Sequence, residues 1–378
     1  DPSGKLGEPP GSVRGVWREI EHAANGLDRA LPGLGQLAEA IAAIGSATGP
    51  GEEKRPGQTA RAAGMRAKHP VVIIPGFTTT GLEVWKAGKC AEGMGFKQRL
   101  WGNMGMISSV LGMSGECLLE HLSLDQETGL DPAGEGGEIK VRPAEGLEGV
   151  EWLMPGFWVW AKVVRSLADI GYDSSNLAAM PYDFRLEPAL LEQRDAVLSR
   201  LKAMLEISLQ QHGKRAAVLA HSYGDTLFRY FMNWVEAADP GWTEKHVTSY
   251  VNIAGPQLGV PKALPTMLTG DTRETAELSF MMQLGEYAPH AVLNPGARVR
   301  LLRTWTSVSH MLPKGGEAVW GRDGDAPDAG GAGGHGVLVC VNPDKDDECE
   351  ERWTVDEALE RLWKAAPAAY TSLVRSSV

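Results

Sequence analysis

Apolar residues form short runs and amphipathic stretches that alternate through the middle of the chain. Four apolar runs have the length of strands: 71–75, 176–181, 215–220 and 247–254. Apolar residues at helical spacing mark the stretches between and before them: 157–170, 188–211 and 224–237. Because strands separated by helices pair in parallel with right-handed crossovers, we predict four neighbouring strands in one mostly parallel sheet.

The remaining segments lack this regularity. Residues 1–68 are rich in Gly, Pro, Ala and charge, which predicts a poorly structured leader and linker with one weak helix at 34–44. The irregular, Gly-rich span 78–156 is too long for a plain connection and indicates a lid or binding segment. We therefore predict that residues 69–320 form a core that includes this lid. Residues 321–378 are predicted to form a low-complexity loop and a C-terminal helical segment.

Length and charge limit the classes of protein. The chain has 378 residues and a formal net charge of −11, which argues against nucleic acid as a partner because phosphate contacts need a basic surface. No window reaches the roughly 18 consecutive apolar residues of a membrane span. The first residue is Asp1 rather than Met, so we expect a fragment or processed form whose upstream targeting segment is missing.

Four cysteines are present: Cys90, Cys117, Cys340 and Cys349. No C-x-x-C spacing occurs, so the sequence does not predict a zinc site. Two disulfides would place the protein in an oxidising compartment, and four buried thiols are the alternative.

Ser222 is the strongest candidate for chemistry. It lies in Ala220-His-Ser-Tyr-Gly224, after a predicted strand and before a predicted helix, as a nucleophile elbow requires. The oxyanion hole would use the backbone N–H groups of Tyr223 and of Phe77, which follows the Pro75-Gly76 turn. A chance match in a chain rich in Gly and Ala, with a simple turn at 75–76, is the alternative. This chemistry requires no metal and no cofactor.

An activated serine also needs a base and an acid, in the chain order Asp/Glu and then His. The downstream histidines, none of which lies in a clear strand-end loop after an acid, are His246, His290, His310 and His335. Asp323 and Asp325 lie in low-complexity sequence and are rejected. We expect the acid and base to lie beyond Val378. No downstream histidine should then place a ring nitrogen at about 2.6–3.2 Å from the Ser222 hydroxyl. The His221 side chain should point away from that hydroxyl. We also expect the outer side of strand 247–254 to be poorly covered.

Seven segments between about residues 68 and 321 together resemble the lecithin:cholesterol acyltransferase family, and most closely its phospholipid:diacylglycerol acyltransferase branch. They are Gly81-Leu-Glu-Val-Trp85, Arg99-Leu-Trp-Gly102, His121–Pro132, Pro181-Tyr-Asp-Phe-Arg185, Ala220–Gly224, Ala254–Lys262 and Leu312-Pro-Lys-Gly-Gly316.

The resemblance implies an α/β-hydrolase fold, a mostly parallel sheet with a lid insertion, here lacking its last strands. It implies a serine enzyme that moves a fatty acyl group from a phospholipid donor to a diacylglycerol acceptor, forming triacylglycerol at a membrane surface. The implied location is the lumenal side of the endoplasmic reticulum membrane, with a plastid as the alternative. A phospholipase or lipase, and a catalytically incomplete lipid-binding fragment, are the competing functions.

The resemblance also assigns roles around the site. Cys90 and Cys117 fall where the family has its lid disulfide. Trp85 and Trp101 lie in or beside the lid, where they would engage acyl chains or the membrane interface, or simply pack. Asp183 and Arg185 would brace the site as a buried ion pair, with a surface pair as the alternative.

Overall fold

The computed structural model describes residues 55–102, 113–134, 137–154, 157–271, 294–322, 336–341 and 349–366. The helix predicted at 34–44 lies outside these ranges, as do Asp323, Asp325, His290 and His335. The described helices are α1 (Pro56–Ala62), α2 (Gly115–Leu122), α3 (Glu148–Glu151), α4 (Ala161–Asp169), α5 (Pro188–Asp195), α6 (Val197–His212), α7 (Tyr223–Ala238), α8 (Trp242–His246), α9 (Ala263–Thr269), α10 (Pro295–Leu302), α11 (Thr306–His310), α12 (Gly316–Trp320) and α13 (Val355–Ala365), with a 3-10 turn at Lys89–Ala91. None of the described helices is both long and apolar enough to cross a bilayer.

The described strands are β1 (Val71–Ile74), β2 (Leu82–Lys86), β3 (Gln98–Trp101), β4 (Ala133–Gly134), β5 (Gly137–Glu138), β6 (Lys140–Pro143), β7 (Trp152–Met154), β8 (Phe157–Trp158), β9 (Leu177–Ala179), β10 (Ala216–His221), β11 (Val247–Ile253), β12 (Val339–Val341) and β13 (Glu351–Trp353). Four of them form the central sheet in the order β11-β10-β1-β9, and every neighbouring pair is parallel. The prediction of four neighbouring strands in a parallel sheet is confirmed.

Core residues pack on both faces of this sheet at β1. Successive side chains of a strand point to opposite sides, so alternate residues of β1 join two different cores. Val72 and Ile74 of β1 join the large core that contains α6 and α7. Val71 and Ile73 join a smaller core on the other face, against Trp160. All four β1 side chains are buried, which explains why this strand reads as an uninterrupted apolar run.

Two predicted helices differ from the structure. The stretch 188–211 is not one helix, since α5 and α6 are separated at Ala196, whose φ is 52°. The Glu192 carboxylate accepts hydrogen bonds from the N–H groups of Leu198 and Ser199, so it caps α6 and stabilises the break. A periodicity argument cannot detect this break, because the apolar face continues across it.

The helix predicted at 157–170 begins only at Ala161, because Phe157 and Trp158 pair with β7 as an antiparallel strand. The Trp152 and Trp158 rings pack across that pair with centroids 4.1 Å apart. The helix predicted at 224–237 is confirmed by α7.

The predicted lid contains its own antiparallel sheet, in the order β3-β2-β6. The Cys90–Cys117 disulfide joins the 3-10 turn after β2 to α2, with Cα atoms 5.8 Å apart, so the pairing implied by the resemblance is confirmed. Cys340 and Cys349 also form a disulfide, across the β12–β13 hairpin. The alternative of four free thiols is therefore wrong.

Both ends of the described chain carry helices. Helix α1, within the segment predicted as leader, packs on α4, and Arg55 forms an ion pair with Asp169 at 2.8 Å. Near the other end, Thr354 and Glu357 form a capping box that starts α13.

A buried ionic network joins the lid to the core. The fully buried carboxylate of Asp183 binds Arg185 at 2.7 Å and Arg194 at 2.8 Å, which confirms the buried ion pair. The Asp131 carboxylate forms two ion pairs, with Arg194 at 3.0 Å and with Arg142 of the lid at 2.6 Å. Arg185 also donates to the carbonyl oxygens of the last two residues of α2, at 3.3 and 3.2 Å.

The charges in this network compensate each other. Burial by itself would raise the pKa of Asp183, but the charges and hydrogen bonds of Arg185 and Arg194 outweigh it and hold the pKa far below its ordinary value. Burial would likewise lower the pKa of Arg194, and the neighbouring carboxylates, Asp183 first, raise it instead. The network therefore stays ionised throughout the neutral range.

We expect Asp183→Asn to lower the free energy of unfolding by about 3–5 kcal/mol at pH 7, because it leaves two buried guanidinium groups without their shared counter-charge. Since the folded-state pKa of Asp183 lies below its unfolded value near 3.9, the difference between wild type and variant should be full above pH of about 4 and shrink as the pH falls further. Urea unfolding followed by circular dichroism measures this. Asp169→Asn, in the exposed pair with Arg55, is the control and should cost far less; equal losses would contradict a special role for the buried network.

Candidate active site

Ser222 lies at the turn between β10 and α7, at the carboxyl edge of the sheet. Its backbone has φ 51° and ψ −122°, a strained conformation for a residue with a side chain. Its N–H donates to the Ile253 carbonyl at 2.9 Å, and its own carbonyl accepts from the Asp225 N–H at 2.9 Å. The predicted strand–turn–helix elbow is confirmed as a geometry, and the catalytic role of Ser222 stays a prediction.

The elbow fits tightly against the turn after β1. A Cβ on Gly224 would lie 2.4 Å from the Pro75 carbonyl oxygen, so only glycine is accommodated there. A Cβ on Gly76 would lie 3.1 Å from the Ser222 Cβ and 2.7 Å from Nδ1 of His221. The two turns that the sequence analysis assigns to one site are therefore in contact.

This contact brings the two predicted oxyanion donors to the same edge. Among the described residues, neither the N–H of Phe77 nor that of Tyr223 has a hydrogen-bond partner, and the first N–H groups of a helix have none within the helix. The Phe77 ring packs edge-on against Phe184 at 5.7 Å and Trp305 at 6.0 Å, which holds its backbone in place. Two unsatisfied donors beside a serine can stabilise a developing negative charge.

No described histidine hydrogen-bonds the Ser222 hydroxyl. His246 lies at the opposite end of β11, where its Nδ1 donates to the Trp242 carbonyl at 2.8 Å. The ring of His221 packs edge-on against Trp160, at 6.3 Å. Within the described residues neither His246 nor His310 hydrogen-bonds the Ser222 hydroxyl, and His290 and His335 lie outside those residues. The expectation that no downstream histidine completes the site therefore stays a prediction.

His310 lies closer to the elbow than its sequence context suggests. Its ring contacts the Tyr223 ring edge-on at 6.2 Å, and its Nδ1 has no partner within the described ranges. Burial, assisted by the charge of Lys314, lowers the pKa of His310 to about 4, so its imidazole is neutral at neutral pH. No sequence signal marks this position, since α11 follows no strand.

Asp225 is a residue that the sequence analysis did not name. Its carboxylate is fully buried in the first turn of α7, and neither oxygen has a hydrogen-bond partner in the described part of the chain. It lies against Gly255, where a Cβ would be 2.3 Å from the carboxyl carbon. Burial raises the pKa of Asp225. The signal available in the sequence was its position in the helix. Asp225 precedes the buried Phe228 by about one helical turn and therefore lies on the same, inward face.

The edge of the sheet next to this carboxylate is open. In the described structure β11 is an edge strand, and 44% of Val251 and 38% of Ile253 are exposed. Leu258, in the following loop, is 51% exposed. The prediction that this side of the sheet is poorly covered is confirmed.

The two tryptophans of the lid differ. Trp101 is buried against Phe184 and Trp305, and its indole N–H donates to the Thr78 carbonyl at 2.8 Å. The suggestion that Trp101 engages acyl chains or the membrane is therefore wrong in this structure, and ordinary packing is right. Trp85 is 42% exposed and lies edge-on to Phe96, which is 71% exposed, at 5.3 Å.

One described group has the composition of a metal site, namely Cys90, Cys117 and His121. Its sulfurs are joined in the disulfide, and both ring nitrogens of His121 are already used. The Gly88 N–H donates to Nε2 at 3.0 Å, so Nδ1 carries the proton and donates to the Cys117 carbonyl at 2.8 Å. His121 therefore braces the disulfide turn against α2.

Comparison with known proteins agrees with this geometry. The family model described as lecithin:cholesterol acyltransferase matches residues 95–330. A phospholipid:diacylglycerol acyltransferase of Schizosaccharomyces pombe is 37% identical over 79% of this chain and 47% of its own length. The phospholipid:diacylglycerol acyltransferase of Saccharomyces cerevisiae is 37% identical over 70% of this chain. Phospholipid:diacylglycerol acyltransferase 1 of Arabidopsis thaliana is 38% identical over 73% of this chain.

The chain spans less than half the length of these three relatives. The family match nevertheless includes both sides of the elbow, from the lid to the segment after α12. This chain belongs to the lecithin:cholesterol acyltransferase family.

Proposed function

We propose that this chain supplies the nucleophile and the oxyanion hole of a serine acyltransferase that moves a fatty acyl group from a phospholipid to diacylglycerol, forming triacylglycerol. The observation that carries the proposal is the strained turn at Ser222, packed directly against the Gly76-Phe77 turn. Family membership and the names of the similar proteins support the choice of substrates.

In the first half of the proposed reaction, the Ser222 hydroxyl attacks the ester carbonyl of the phospholipid. The negative charge that develops on the carbonyl oxygen is accepted by the N–H groups of Phe77 and Tyr223. A base takes the serine proton and passes it to the departing lysophospholipid oxygen, which leaves an acyl-serine.

In the second half, the hydroxyl of diacylglycerol attacks the acyl-serine, and its proton returns to Ser222 through the same base. We propose that this base and its acid lie outside the described residues, because no described histidine bonds the hydroxyl. We assign His310 no role in this proton transfer, since its ring lies edge-on to the Tyr223 ring at 6.2 Å and no hydrogen bond joins it to Ser222 within the described residues.

Ser222→Ala in the full-length protein should reduce transfer about 10⁶-fold, to background, because the attacking oxygen is removed. The measurement is thin-layer analysis of products from phospholipid with a labelled acyl chain, with and without diacylglycerol. Ser199→Ala, an exposed serine on α6, is the control. Labelled free fatty acid as the sole product would show a phospholipase, and failure of a fluorophosphonate probe to label Ser222 would favour a non-catalytic lipid-binding protein.

Gly76→Ala should lower the rate of transfer roughly 10²–10³-fold with little change in substrate binding, because a methyl group there displaces Ser222 and the adjacent oxyanion donor. Steady-state kinetics with the same labelled phospholipid separates kcat from KM. Gly93→Ala is the matched control, since a Cβ at Gly93 meets no atom within 4 Å. A loss confined to KM would place Gly76 in substrate binding and remove the support for this oxyanion hole.

We also propose that the lid contacts a membrane surface through an aromatic pair. Trp85 and Phe96 are exposed at the end of the β2–β3 hairpin, and Lys97 lies over the Trp85 ring at 5.4 Å. Indole rings and lysines favour the interface between lipid tails and water, where one end is apolar and the other is hydrated. This pair supports delivery of the phospholipid donor from a bilayer.

Replacing Trp85 and Phe96 together by Ala should weaken binding to phosphatidylcholine vesicles at least about tenfold, because two large apolar rings no longer leave water. Flotation of vesicles with bound protein measures the effect. Met65→Ala, which removes a 58% exposed apolar side chain near α1, is the control. Equal binding by the double variant and wild type would refute the assignment.

We propose the lumenal side of the endoplasmic reticulum membrane as the location. Two disulfides support an oxidising compartment, and the reducing interior of the cytosol does not maintain such bonds. Resistance of the protein to protease added to intact microsomes is the measurement that checks this location.

A further inference from the structure

A cleft of about 150 Å³ opens at the end of the sheet opposite Ser222, where three strands begin. Its walls come from the residues before β1, the turn before β9 and the connection from α6 to β10: Ala67, Lys68, His69, Pro70, Asn176, His212 and Lys214. The volume is several times the roughly 30 Å³ that one water occupies, so a small polyatomic ion fits with part of its hydration.

Lys68 and Lys214 bring two positive charges to this cleft. Neither lysine forms an ion pair with a described carboxylate, and no acidic side chain is among the residues that line the cleft. The nearest acid on the adjoining turn, Asp173, is occupied by the N–H and hydroxyl of Ser175 at 2.8 and 2.6 Å. Arg215 is directed elsewhere, to the Glu244 carbonyl at 2.9 Å. The positive charge is local, since the whole chain carries −11.

Backbone carbonyls fix the protonation of the two histidines. His69 Nδ1 lies 3.0 Å from the Arg215 carbonyl, and His212 Nε2 lies 2.9 Å from the Ser175 carbonyl. A carbonyl oxygen only accepts, so each of these nitrogens carries a proton. His69 Nε2 and His212 Nδ1 have no hydrogen-bond partner within the described residues.

We propose that this cleft binds a small tetrahedral dianion, a free phosphate- or sulfate-type group, between Lys68 and Lys214 and beside His69 and His212. Such an ion joins the chain before β1, the turn before β9 and the chain before β10. Its binding therefore stabilises the start of the central sheet, independently of the chemistry at Ser222.

The test uses sulfate, because sulfate keeps both of its charges at neutral pH. Sodium sulfate is titrated against the chain at constant ionic strength with chloride as balance, and histidine ring signals are followed by ¹H–¹⁵N NMR. We expect saturable shifts of the His69 and His212 signals. Saturating sulfate should also raise the Tm of the wild type more than that of a variant without Lys68 and Lys214, because sulfate stabilises any folded protein to some extent by exclusion from its surface.

Matched variants identify the site. Lys68→Ala with Lys214→Ala should abolish the saturable shifts. Lys245→Ala, an exposed lysine on α8 that does not line the cleft, should bind as wild type does.

Shifts that do not saturate, or equal losses from Lys245→Ala and the double lysine variant, would overturn the proposal. A further arm uses inorganic phosphate and vesicles of phosphatidylcholine with phosphatidic acid. Binding of phosphate and sulfate supports a free dianion. Binding of only the vesicles, lost in the double lysine variant, would overturn it in favour of a lipid headgroup.

Discussion

The close contact between two turns at the carboxyl edge of the sheet determines where Ser222 lies. Both turns lack a side chain at the point of contact, Gly76 on one and Gly224 on the other, and a methyl group on either would crowd backbone or Ser222. Parallel pairing of β1 with β10 fixes the two turns side by side. The sheet therefore does more than support the site, because its register sets the spacing between Ser222 and the N–H group of Phe77.

The buried ionic network performs a comparable function for the lid. Asp183 follows β9, yet its partners connect through Asp131 to Arg142 and through Arg185 to the end of α2. Trp305 adds a hydrogen bond from its indole N–H to the Leu122 carbonyl at 2.8 Å. The base of the lid is thus fixed to the core by charged and polar contacts, and the disulfide secures the turn above it.

Much of the fold was predictable from the sequence, because β1 is buried on both faces and all four central strands read as clear apolar runs. The elbow was predictable for the same reason, since its spacing of small residues follows from the contact between the turns. The break at Ala196 was not predictable, because Glu192 caps α6 without altering the apolar pattern. Asp225 was missed, and His310 was named only as one of four downstream histidines, since the significance of both depends on burial, which a pattern of residue types does not report. The sequence could not tell the buried Trp101 from the exposed Trp85, because burial is again the difference and both tryptophans follow lid segments of similar composition.

The open edge at β11 has a consequence for handling the chain. Its seven residues, Val247 to Ile253, include no charge and no proline, and no strand of the described ranges pairs with its outer backbone groups. Natural proteins avoid such edges because they recruit further strands, and short uncharged β-rich segments are those that stack into fibrils. In isolation this chain should therefore self-associate edge to edge, and a lysine on the outward face of β11 is the substitution that should keep it monomeric.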